Sequence, residues 1–187
     1  MYRLALLLIL SGCVVNNHKV TQGPYNPEPK VYTLVCDETC TDADTERLKL
    51  LEDKINRTIR SQCFADFMLT PNRPWNFLEG RKPRDVLEKM REPRTVLVRY
   101  FFSPFWRLQG YDVAEQAVVN INRASVTVQR MNLCAEAAVI AHEIAHANGF
   151  NHRGNDPDEF NQFTPPYQVN HAFEPRREDY RNGGCCI

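Results

Sequence analysis

The chain has no excess charge of either sign: 23 Lys and Arg stand against 23 Asp and Glu, and neither is gathered into a tail. Nucleic-acid binding through a basic surface is therefore not expected. Nor does it hold an apolar run that spans a bilayer, which takes about 20 residues; Leu4 to Leu10 gives only seven. No second cysteine pair matches the spacing of Cys36 and Cys40, which weighs against a zinc site built from cysteines. The stretch from Arg81 to Arg107 is locally basic and reads as a solvated face, with an anionic-surface contact as the alternative. A length of 187 residues suits one domain with a core of its own.

What is present begins at the N-terminus. Arg3 precedes the short apolar run and small residues follow it, the layout of a secretory signal. Leu10-Ser11-Gly12-Cys13 resembles the lipobox of bacterial lipoproteins. The resemblance implies a signal peptide over 1–12 and lipidation of Cys13. It further implies a lipid-anchored protein of the cell envelope, facing the periplasm or in the outer membrane, since Val14 rather than aspartate follows the cysteine. An ordinary signal cut nearby, or a short buried strand, is the alternative. Residues 13–30, with three prolines and no periodicity, read as a flexible tether. Seven cysteines are many for a reduced compartment. Setting Cys13 aside leaves Cys36, Cys40, Cys63, Cys134, Cys185 and Cys186, an even number that reads as disulfides whose pairing the sequence does not choose. Cys185 and Cys186 are expected to staple the C-terminus to the domain.

The patterning of 31–187 alternates strand and helix. VYTLVC at 31–36 and TVLVRYFF at 95–102 read as strands, as do 64–69, 105–111 and 117–122. Apolar residues at Leu48, Leu51, Ile55 and Ile59, after capping chemistry at Thr41 to Asp44, predict a long amphipathic helix from Asp44 to about Gln62. A short helix is expected over 85–91, and a strand or loop over 125–130. In 117–122, Val119 and Ile121 alternate with Asn120 and Asn122, as in a strand with a polar outer face. Asn132 caps a helix over Leu133 to about Asn148 that is apolar nearly all round and therefore buried. Glu136 is placed on its wet edge.

That helix carries the chemistry. Ala141 to His152 reads A-H-E-I-A-H-A-N-G-F-N-H and holds three of the five histidines. Positions four apart lie on nearly one helical face, so His142 and His146 can address a single metal ion. Glu143 is one residue further round, in reach of a water rather than of the metal. Gly149 can take positive φ and end the helix, letting the chain bring His152 back as a third ligand. Three neutral nitrogens with one position open make a catalytic zinc site rather than a structural one. Histidines that merely pack within a buried helix are the bland alternative.

His142, Glu143, His146, Gly149 and His152 match H-E-x-x-H-x-x-G-x-x-H position by position, and the stretch resembles the metzincin zinc metalloendopeptidases. The resemblance implies an α+β, zincin-like fold: a twisted mixed sheet with two long helices above a zinc cleft. It divides the catalytic domain into an upper part, 31–152, and a small irregular lower subdomain, 153–187. It implies one Zn2+ on the three histidines, Glu143 as general base, and a protein or peptide substrate paired to an edge strand. One departure stands out: the family carries a methionine beneath the zinc, and no methionine follows Met131. Tyr167 to His171 is the stretch that can occupy its place. Tyr167 or Tyr180 is a candidate for oxyanion stabilisation or for mere packing, and His171 is expected at the surface, with a fourth metal ligand as the alternative. The other reading is a non-catalytic envelope lipoprotein of this type that binds metal or a partner.

Overall fold

A computed structural model describes residues 29–71, 73–76, 80–105, 110–113, 117–128, 131–153, 160–173 and 184–186. The signal expected over 1–12, Cys13, most of the tether expected over 13–30, and Tyr180 lie outside the described residues. The fold is α+β. Its strands are β1 (Tyr32–Cys36), β2 (Arg94–Phe101), β3 (Gly110–Val113) and β4 (Val118–Asn122). Its helices are α1 (Asp42–Arg60), α2 (Gln62–Met68), α3 (Pro83–Met90), α4 (Arg123–Val128), α5 (Leu133–Ala147) and α6 (Pro165–Phe173), with a 3-10 turn at Asn161–Phe163. The four strands are ordered β1-β2-β4-β3. β1, β2 and β4 are parallel, and β3 returns antiparallel along β4 at the edge. Among the described residues no helix is long and apolar enough to cross a membrane.

α1 forms where its spacing predicts. Thr41 Oγ1 accepts from the Asp44 amide at 3.2 Å, and Asp44 Oδ2 accepts from the Thr41 amide at 2.8 Å, a reciprocal cap. Leu48, Leu51, Ile55 and Ile59 are buried as one stripe. The helix ends because Ser61 turns extended, and the same residue starts α2 by accepting from the Phe64 amide at 3.0 Å. The strand expected over 64–69 is therefore helix: Phe64, Phe67 and Met68 bury together at helical spacing. Two more expectations are corrected nearby. Residues 123–128 form helix α4, not a strand or loop. β4 has no polar outer face, since all five of its residues are buried. Of the strand expected over 105–111, residues 106–109 lie outside the described residues, and the strand observed is Gly110–Val113.

The outer edge of β1 is closed by α1 rather than by another strand. Asn56 Oδ1 accepts from the Val31 and Tyr32 amides at 2.7 and 2.8 Å, and its Nδ2 donates to the Tyr32 carbonyl at 2.8 Å. Glu52 Oε2 accepts from the Leu34 amide at 2.7 Å. Two side chains thus satisfy backbone groups that a bare edge would offer to another chain.

In the locally basic stretch Lys82, Arg84 and Arg99 are exposed, while Arg81, Arg91 and Arg94 cap helix ends. Arg91 donates to the Ile59 and Ser61 carbonyls at the end of α1, at 3.0 and 3.2 Å. Arg94 donates to the Ala147 carbonyl at 2.6 Å and Arg81 to the Gly149 carbonyl at 3.1 Å, both at the end of α5. Cations there meet the partial negative charge of unpaired carbonyls. The C-terminal stretch is not irregular throughout: α6 packs along α5. Disulfides Cys63–Cys185 and Cys134–Cys186 bind the tail to α2 and to the first turn of α5, and Cys36–Cys40 closes the end of β1. The Cys185 amide donates to the Ala172 carbonyl at 2.7 Å, which ties the tail to α6 as well.

Candidate metal centre

α5 begins where Asn132 Oδ1 accepts from the Ala135 amide at 2.9 Å. It ends in a turn that takes glycine for a reason: Gly149 has φ +83°. The Gly149 amide donates to the His146 carbonyl at 2.8 Å, and the Phe150 amide to the Ala145 carbonyl at 3.1 Å. These two bonds make a Schellman closure, with Phe150 buried against the helix end. The reversal carries the chain back along α5, and His152 arrives beside His142 and His146.

The three rings meet through their Nε2 atoms. His142 and His146 are 3.2 Å apart there, His142 and His152 3.2 Å, and His146 and His152 3.0 Å. Nitrogens each about 2.0 Å from a tetrahedral metal ion stand about 3.3 Å from one another, so the triangle has the dimensions of one coordination face. Among the described residues these three form the only such group of His, Cys, Asp or Glu.

Hydrogen bonds to the opposite ring nitrogens say what the Nε2 atoms carry. His146 Nδ1 donates to the Phe150 carbonyl at 2.8 Å. The His142 ring is hydrogen-bonded to the Pro166 backbone, which has only a carbonyl to offer. With its Nδ1 protonated, His146 presents Nε2 as a bare lone pair. Burial and the two neighbouring imidazoles hold the His142 pKa well below its ordinary value of 6.5, so this ring is neutral near pH 7. Lone pairs pointed at one another are unfavourable unless a cation joins them. The cluster can hold a metal ion.

Two clamps fix the surroundings. Asn161, buried, accepts from the Arg153 amide at 2.9 Å and donates back to the Arg153 carbonyl, which sets the chain just after His152. At the start of α6, the Tyr167 ring meets His142 edge-on, with centroids 4.7 Å apart, and lies tilted against His152 at 5.0 Å. Tyr167 is the residue set beside the histidine cluster, where α6 rather than a tight turn is packed. His171 is buried in the same helix, correcting the surface position expected of it; four residues on from Tyr167, it shares that residue's helical face.

Glu143 is buried in α5 next to His142 in sequence. Glu136 is not on a wet edge: it is fully buried, accepting from Arg47 Nε at 2.5 Å and from the Tyr100 hydroxyl at 3.3 Å. Burial raises its pKa, against the pull of Arg47. A carboxylate inside the sheet–helix layer is tolerable because α1 and β2 each supply a donor. The carbonyls of Phe150 and Pro166 are the parts of the site that sequence reading missed. Backbone groups leave no residue signature, and only the Gly149-Phe150 ending hinted at the first. No family model matches the chain, and neither curated proteins nor solved structures give a match.

Proposed function

We propose that the chain is a zinc metalloendopeptidase of metzincin type, held in the cell envelope by a lipidated Cys13. One observation carries the reading: three Nε2 atoms within 3.0–3.2 Å of each other on residues that match H-E-x-x-H-x-x-G-x-x-H. In this reading His142, His146 and His152 hold the ion, and the imidazole-only ligand set suits zinc. A zinc ion bound there would supply a Lewis acid able to acidify a water and polarise a scissile carbonyl. Glu143 is the carboxylate that would serve as general base, holding the proton of the attacking water and passing it to the departing amine nitrogen. A pure zinc-binding site has no use for Glu143, which favours catalysis over simple metal storage.

The zincin-like assignment draws support from the layout. A mixed sheet carries one antiparallel edge strand, β3, lying beside α5, and α1 and α5 are its two long helices. An extended peptide paired to β3 runs along the metal-bearing helix, which is β-augmentation with the scissile bond brought to the ion. Tyr167 takes the supporting place that the family gives to methionine.

The test is cleavage of an unfolded protein by the zinc-loaded chain, with Glu143→Ala at equal zinc occupancy as control. Slowing by roughly 10²-fold or more is the expected loss of a general base. If both proteins hold zinc and neither cuts, the non-catalytic metal-binding lipoprotein replaces the peptidase.

A further inference from the structure

We propose that Phe102 and Phe105 form a membrane-contact tip, which seats in the interfacial layer of the bilayer to which Cys13 anchors the chain. The proposal rests on the lipid-anchor reading of Cys13. Among the described residues these are the two most exposed large apolar side chains, each at 76%. They flank Pro104 at the end of β2, and their display is built. Asn122, itself fully buried, accepts from the Ser103 amide at 3.0 Å and donates to the Ser103 and Phe105 carbonyls at 3.2 and 3.3 Å. The Phe105 amide donates to Ser103 Oγ at 3.3 Å. A buried amide spent on two loop carbonyls holds both rings in water, a cost that a surface contact would offset.

The chemistry around the tip fits a lipid interface. Along the sequence, no Asp or Glu occurs between Arg99 and Tyr111, and Phe101, Phe102 and Phe105 fall in that stretch. Exposed aromatic rings are what the interfacial layer of a bilayer takes, and because Arg99 is already ion-paired with Asp37 at 2.6 Å the contact is apolar rather than one of charge.

Orientation agrees. At one end of the sheet Arg94 touches Ala147, at the end of α5; at the other, Tyr100 touches Glu136, near its start. The tip follows Phe101 at the second end. The metal cluster is at the first, since Glu136 and His146 are about 15 Å apart along the helix. β1 also begins at the metal end. Cys13 and Pro29 are sixteen positions apart, a reach of about 50 Å when extended, against about 26 Å for the length of β2. The anchor can therefore place the tip on the membrane and turn the metal cluster away from it, toward substrate.

Photo-crosslinking in the full chain, within its own membrane, tests this. Phe102→p-benzoylphenylalanine and Phe105→p-benzoylphenylalanine keep an aromatic ring at each position, and Leu50→p-benzoylphenylalanine is an exposed control on α1. The expected result is lipid adducts at 102 and 105 and none at 50. Adducts to protein would assign the tip to a protein interface and overturn the proposal, as would lipid adducts at all three positions. If the chain sediments with membranes and the tip gives no lipid adduct, the tip contact alone fails. If the chain is found in the soluble fraction, the anchor reading fails and the tip falls with it.

Discussion

His146 Nδ1 bonds the carbonyl of Phe150 at 2.8 Å, and the amide of Phe150 closes the helix that carries His146. One turn thus ends α5, returns the chain toward His152 and sets which nitrogen of His146 is bare. Outer partners of this kind commonly change metal affinity by 10- to 100-fold when removed.

Gly149→Ala probes that turn. A Cβ there meets nothing within 4 Å, so the only cost is the left-handed backbone at φ +83°. The expected loss is about 1–2 kcal/mol of stability. Zinc affinity should also fall, by about tenfold, because strain at Gly149 moves the Phe150 carbonyl off Nδ1. Thermal unfolding of the metal-free protein and a chelator-competition titration separate the two effects. A lower Tm with unchanged affinity would mean that the turn supports the helix and not the ligand.

Local signals were legible where sequence spacing alone decides. The α1 stripe, the Asn132 cap, the Gly149 turn and the convergence of the histidines all follow from 3.6-residue periodicity and positive φ. Readings failed where a distant partner decides. Glu136 looks solvent-bound until α1 supplies Arg47, and Asn122 looks like part of an outer face until the chain after β2 brings the Ser103 amide and carbonyl to it. Phe64 to Leu69 is a different case: its strand-like composition outweighed two local signals, the Ser61 cap and the helical spacing of Phe64, Phe67 and Met68.

The neutral state of His142 predicts a pH dependence. Its folded pKa is depressed, so below the unfolded value of 6.5 the unfolded chain binds more protons than the folded one. Stability of the metal-free protein is full above pH 6.5 and is lost as pH falls below it, at up to about 1.4 kcal/mol per pH unit for this group. His142→Asn should flatten that slope by as much as one proton, read from urea unfolding across the acidic range. An unchanged slope would count against a buried, neutral His142.

Tyr167 tests the floor of the cluster. Tyr167→Ala removes a ring that touches both His142 and His152, each contact being worth about 0.5–1.5 kcal/mol. Zinc affinity is expected to drop by roughly tenfold. Tyr167→Phe keeps the ring and should keep the affinity. If the Phe variant binds zinc normally yet cuts peptide more slowly, the hydroxyl assists the reaction, which is the oxyanion role; if it cuts at the normal rate, the ring serves only to pack.

The ion pair of Arg47 with Glu136 sets a different test, because stability and not metal binding should respond. Arg47→Met leaves a fully buried carboxyl with the Tyr100 hydroxyl as its remaining donor among the contacts above, and the expected cost is on the order of 3 kcal/mol. Glu136→Gln keeps an acceptor for Tyr100 and removes the charge, so it should cost far less. Combined with Arg47→Met it should recover much of the loss. The sign with pH follows from the raised pKa of Glu136. Between its unfolded and folded values the folded chain holds the extra proton, so stability falls as pH rises through that window. Without Arg47 the folded pKa climbs further and the window widens upward. Arg47→Met should therefore be milder in weak acid than in weak base, whereas the double variant should show no such difference. Equal losses at both pH values would mean that Arg47 acts through packing and its bond to the Met131 carbonyl rather than through charge.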